Sequence, residues 1–117
     1  MAAINKIQTV PKSEYFEKHL SILNPLLPYE LTRNEIKFLS MFMSFSGELA
    51  TDRFSATGRK IVRKAMGLSF PNMSNYLASL TKKEFIFENK DGVLDIQPIL
   101  FPDSNEQLYN IKLICKE

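Results

Sequence analysis

TGRKIVRKAMGLSFPNMSNYLASLTKK, residues 57–83, decides how this chain is read. It holds six lysines and arginines and no acid, and its apolar spacing divides it into two short helices joined by a tight turn. The rest of the chain does not share this bias. Residues 1–56 carry six basic and six acidic side chains, and residues 84–117 carry three basic and seven acidic ones. A formal net charge of +2 therefore conceals a cationic centre beside an acidic C-terminal third. A polyanion responds to a local cationic surface rather than to the average, so the stretch points toward nucleic acid.

Within the stretch, Ser55 or Thr57 caps a helix that runs to about Met66. Ile61, Val62, Ala65 and Met66 are expected inward, and Arg59, Lys60, Arg63 and Lys64 largely outward. Gly67 suits the positive φ of a helix C-terminus. Ser69 caps the next helix, where Pro71 is tolerated because first-turn amides have no intrahelical partner. Met73, Leu77 and Leu80 fall on one stripe. At about 100° per residue Asn75 points away from that stripe, with Asn72 and Ser79 beside it and Ser74 and Tyr76 at its margins. The exposed face is thus small, uncharged and rich in amides. A solvated helix surface satisfies the same spacing.

Upstream, Ser13–Leu23 has Tyr15, Phe16, His19, Leu20 and Leu23 at helical spacing, and Pro25–Pro28 is expected to be an extended connector. Thr32 and Glu35 form a capping box for a helix whose buried stripe is Ile36, Leu39, Phe42 and Met43. Downstream the period changes from helix to strand. FIFENK and VLDIQP flank Asp91-Gly92, a hairpin signal of type I′ character. The final run LYNIKLIC alternates Tyr109, Ile111, Leu113 and Cys115 against Asn110 and Lys112 and is expected to form a last strand.

Composition bounds the remaining classes. At 117 residues and 44% hydrophobic content, the chain fits one α+β globular domain. Its parts are an N-terminal helix and connector over 1–30, a helical core over 31–83, and a hairpin with terminal strand over 84–117. One cysteine and one histidine, Cys115 and His19, support neither an internal disulfide nor a zinc site, so no metal and no cofactor are expected. His19 reads as a packed core histidine. No Gly-rich phosphate loop, metal-ligand spacing or nucleophile elbow is present, so no catalytic residues are assigned and the chain is not expected to be an enzyme. MAAINKIQTVPK lacks a secretion signal's apolar segment, and no run suits a membrane span; the expected location is cytoplasmic.

The order helix, helix, turn, helix, hairpin over about residues 31–97 resembles the winged helix-turn-helix family. Gly67-Leu68-Ser69 is similar to its turn, Met73, Leu77 and Leu80 to the buried positions of its reading helix, and Lys83-Glu84-Phe85-Ile86 to the approach to its wing. Glu84 stands where the family usually has glycine. The region resembles bacterial regulators and small replication or regulatory proteins of plasmids and phages.

The resemblance implies binding to double-stranded DNA with the second helix of the pair in the major groove. It makes Asn72, Ser74, Asn75, Tyr76 and Ser79 candidates for base contacts, because asparagine can hold adenine through two hydrogen bonds. Arg59, Lys60, Arg63, Lys64, Lys82 and Lys83 are candidates for phosphate contacts, with Lys90 reaching out from the hairpin tip. Glu88, Asp91 and Asp95 would repel phosphate if they faced a duplex. Unused apolar material in the first helix and last strand is compatible with a homodimer, and the acidic hairpin with a viral or host protein partner in an assembly role.

Overall fold

A computed structural model describes residues 6–116. The first five residues of the N-terminal stretch, and Glu117 of the acidic third, lie outside it. Among the described residues the architecture is α+β: five α-helices, α1 (Lys12–Leu23), α2 (Arg33–Met43), α3 (Glu48–Thr51), α4 (Ala56–Met66) and α5 (Phe70–Lys82), precede an antiparallel pair, β1 (Ile86–Glu88) and β2 (Leu94–Ile96). The pair is in the register Ile86↔Ile96, Phe87↔Asp95, Glu88↔Leu94. No described helix is long and apolar enough to cross a membrane.

Local chemistry sets most of the boundaries. Thr32 and Glu35 form the reciprocal capping box, with Thr32 N donating to Glu35 Oε1 at 2.9 Å and Glu35 N to Thr32 Oγ1 at 3.1 Å. Ser55, not Thr57, caps α4 by accepting from the Gly58 amide. Gly67 ends α4 in the left-handed region at φ 66°, and Ser69 opens α5 by accepting from the Asn72 amide. Only a three-residue turn, Gly67-Leu68-Ser69, separates α4 from α5.

The core lies where α2 meets α1, α4 and α5. Leu20 of α1, Phe38, Leu39 and Phe42 of α2, Val62 of α4 and Leu80 of α5 are all fully buried. Phe42 stands edge-on to Phe38, with ring centroids 5.0 Å apart, and lies tilted against Phe54 at 4.4 Å. Each such fully buried side chain contributes on the order of 1.5–3 kcal/mol through lost contact with water. Arg53 closes the C-terminal end of α2. Its guanidinium donates to the Phe42, Met43 and Phe45 carbonyls, at and just beyond the end of the helix, where carbonyls lack a full set of intrahelical partners.

Several expectations are corrected. The buried side of α4 is narrower than its spacing suggests: Gly58 and Val62 are buried, whereas Ile61 and Ala65 are exposed and Met66 is half-buried. The cause is Gly58, which lets the Arg53 carbonyl approach so closely that an added Cβ would lie 2.1 Å from its oxygen. Asn24–Leu26 forms a 3-10 turn rather than a fully extended connector, and the Asn24 side chain ties it to both backbone groups of Leu31. The hairpin loop is not type I′, because only Gly92 has positive φ. It closes through Asn89, whose carbonyl accepts from Gly92 N and whose side chain accepts from the Asp91 and Val93 amides.

The expected last strand is absent from the described residues. Residues 105–116 carry no regular structure, and Leu108, Ile111, Leu113 and Ile114 are exposed. Alternation makes a strand only where a segment pairs with another, and this segment pairs with neither β1 nor β2; hydrogen bonds from tyrosines hold it instead. Tyr15 Oη donates to the Ser104 carbonyl at 2.9 Å, and Tyr109 Oη shares a hydrogen bond with His19 Nδ1. His19 is buried, and its Nε2 has no hydrogen-bond partner of ordinary geometry among the described residues.

Candidate nucleic-acid interface

The exposed surface of α5 has two flanks, separated by what each faces. On one side, Asn72, Asn75, Tyr76 and Ser79 join Thr32, Glu35, Leu68 and Lys83 around a cleft of about 420 Å³ between α5 and the start of α2. Asn72 and Asn75 are exposed at its rim. Tyr76 is half-buried, its ring 5.0 Å from that of Phe38, so most of its surface serves packing. Ser79 is half-buried and donates to Glu35 Oε2 at 2.8 Å. On the other side, Ser74 is exposed and does not line the cleft.

Glu35 organises the cleft floor. It is 3% exposed, and besides Ser79 it receives the Thr32 amide and the Lys83 ammonium, the latter at 2.6 Å. Lys83 Nζ also donates to the Glu30 carbonyl at 2.9 Å. Burial pushes the Glu35 carboxyl up. Hydrogen bonds from Lys83, Thr32 and Ser79, together with the Lys83 charge, outweigh burial and hold it below the usual carboxylate range.

The candidate cations therefore separate into free and engaged groups. Lys60, Lys64, Lys82 and Lys90 are exposed and make no ion pair among the described residues. Lys83 is committed to Glu35 and Glu30. Arg59 Nε donates to the Phe54 carbonyl at 2.7 Å, which ties its head to the backbone just before α4. Arg63 is half-buried with its guanidinium carbon 3.8 Å from the centre of the Phe70 ring. An exposed cation–π stack of this kind contributes about 0.5–1 kcal/mol and leaves the charge intact.

Lys90 sits in the hairpin loop next to exposed Asp91, and Glu88 is also exposed, so the hairpin offers mixed charge. Asp95 is half-buried, with Oδ1 accepting from the Ile96 amide. Phe70 was not among the site residues expected from sequence. It precedes Met73 and Leu77 on the buried stripe of α5, yet is 70% exposed because α5 begins beyond the edge of the core. An aromatic residue beside an N-cap and within reach of an arginine on the preceding helix was the only available signal.

Comparison with protein-family models, with curated proteins and with solved structures finds no match to this chain.

Proposed function

We propose that this chain is a winged-helix protein that binds duplex DNA, with α5 as the reading helix, in transcriptional regulation or a replication-associated role of phage, plasmid or bacterial type. The observation that carries the reading is the exposed face of α5 at Asn72, Ser74 and Asn75, together with Lys60 and Lys64, which are exposed on α4 without an ion pair among the described residues, all in a stretch without any acid. The three-residue turn between α4 and α5 supports it, as does the hairpin that follows. In this reading Lys60, Arg63, Lys64 and Lys82 meet phosphates, while Asn72 and Asn75 meet base edges. Arg59 and Lys83 hold the fold. They are left out of the phosphate set because backbone carbonyls and Glu35 already occupy them.

Titration of a random duplex by fluorescence anisotropy tests this. Four phosphate contacts predict a loss of about two decades in affinity between 50 and 200 mM salt. Replacing Lys60 and Lys64 together by alanine should reduce the slope of log affinity against log salt by about 2. Absence of binding at 50 mM salt, or a slope unchanged in the double variant, would refute the reading.

A second reading is favoured by one observation, the exposed apolar run Leu108, Ile111, Leu113 and Ile114 in the C-terminal segment. In that reading the domain is an assembly part that meets protein, either a second copy or a viral or host partner. It predicts no duplex binding at either salt concentration.

A further inference from the structure

Phe70 and Arg63 form a feature that neither fold stability nor phosphate attraction explains. Phe70 is the first residue of α5, 70% exposed, and makes no part of the buried core. The Arg63 guanidinium covers one side of its ring at 3.8 Å. Arg63 rises from the last turn of α4, so the stack bridges the two helices across the Gly67-Leu68-Ser69 turn and restrains an aromatic ring that lies outside the core cluster. Phe70 stands about 20° round the helix from buried Leu77 and about 40° from exposed Ser74, so the ring projects at the border between the buried stripe and the α5 flank that does not line the cleft.

Reading helices present their N-terminal residues to base edges. The major groove offers one apolar group on those edges, the C5 methyl of thymine. A hydrogen-bonding side chain would gain nothing from that methyl, whereas a phenyl ring gains by excluding water from it. The surrounding charge favours the same occupant, since residues 57–83 hold no acid and Lys60 and Lys64 are exposed on the same helix as Arg63.

Resting on the DNA-binding reading, we infer that Phe70, held in place by Arg63, is a specificity-determining residue that contacts a thymine methyl in the major groove. Arg63 acts as the positioning residue, keeping the ring upright while its charge remains available to the backbone. The site thus selects bases in two ways: by amide hydrogen bonds on the Asn72 and Asn75 flank, and by an apolar contact on the Phe70 flank.

The test uses duplexes enriched from a random library by the full chain. Each thymine is replaced in turn by deoxyuridine, which keeps pairing and removes only the methyl. At one or two positions the unmodified protein should lose about four-fold in affinity, the worth of one buried methyl. Phe70→Ala should bind thymine and uracil duplexes alike, with its thermal midpoint lowered by only a few degrees through loss of the stack, and Phe70→Leu should keep part of the preference. Arg63→Lys, which retains charge but not the planar stack, should lose discrimination more than overall affinity. Indifference of the unmodified protein to every replacement, or a preference that survives in Phe70→Ala, overturns the inference while leaving duplex binding in place. Failure to enrich any duplex overturns both.

Discussion

The two ends of the basic stretch use the same residue type for opposite purposes. At its start, Lys60 and Lys64 are exposed on α4 and form no ion pair among the described residues. At its end, Lys83 is folded back onto Glu35 and the Glu30 carbonyl, where it shields a carboxylate that would otherwise be buried alone. In a linear sequence all three are cations in an acid-free segment. In space the first two are surface charge and the third is part of the core's polar lining. Local charge density is therefore an upper limit on the charge a ligand meets, and long-range pairing determines how much remains.

The sharpest way to break this contrast is at Glu35. Removing one partner of a buried ion pair leaves the other uncompensated, so Glu35→Ala should lower stability by about 3–5 kcal/mol in urea unfolding at pH 7. Lys60→Ala and Lys64→Ala should leave the midpoint where it is. Acid should reach the same site. The folded-state pKa of Glu35 lies below its ordinary value of 4.5, so its stabilisation is complete above that value and is lost as pH falls through the depressed one. His19 adds a separate window: burial lowers its pKa most, against the Leu100 backbone and the Asp103 charge, so stability begins to fall below its ordinary 6.5. Glu35→Gln should flatten the lower window and leave the upper one. A lower window that persists in that variant would place the acid sensitivity elsewhere.

At the other end, Gly58 decides how α4 lies. A methyl there would meet the Arg53 carbonyl oxygen at 2.1 Å and the Phe45 ring at 3.1 Å, and the former is backbone that also ends in a clamped guanidinium. Gly58→Ala should destabilise by about 1–3 kcal/mol, despite the usual preference of helices for alanine. A neutral or stabilising result would mean that α4 can move off Arg53, and with it Lys60 and Lys64.

What was legible in the sequence is what rests on short-range bonding. The caps at Thr32 and Ser69, the left-handed Gly67, and the stripe Met73, Leu77 and Leu80 each depend on groups a few positions apart, and the structure has all of them. The α+β composition and the existence of the hairpin were readable for the same reason. Lys83 was not, because its partner lies 48 residues away. Ile61 and Ala65 fit a buried spacing, but the close backbone approach at Gly58 shifts the contact line, which no periodicity records. The last segment alternates like a strand, yet it pairs with neither free edge of the hairpin, and Tyr109 finds His19 instead. Phe70 fits the buried stripe of its helix and is exposed only because the core ends before it. Of the candidate interface, the free lysines and the exposed asparagines were readable from helical phase. The Glu35 network and the Arg63–Phe70 stack required three-dimensional neighbours.

The smallest effect sharpens the contrast from the Lys83 side. After Lys83, α5 closes with Glu84 N donating to the Thr81 carbonyl and Phe85 N to the Leu80 carbonyl, the paired bonds of a Schellman ending. That closure turns the chain into β1 while Lys83 stays over Glu35. It requires a left-handed residue, and Glu84 occupies the position at φ 66°, the one non-glycine with positive φ among the described residues. A side chain there costs about 1–2 kcal/mol relative to glycine, whereas glycine costs roughly 0.5–1 kcal/mol through the freedom it has when unfolded. Glu84→Gly should therefore stabilise by about 0.5–1 kcal/mol, read from the urea midpoint at constant slope. Glu84→Ala is the discriminating control: it removes the charge but keeps the Cβ, and should give no gain. An equal gain from both would trace the effect to the lost negative charge at the end of α5, and would mean that the left-handed turn holding Lys83 in place carries little strain.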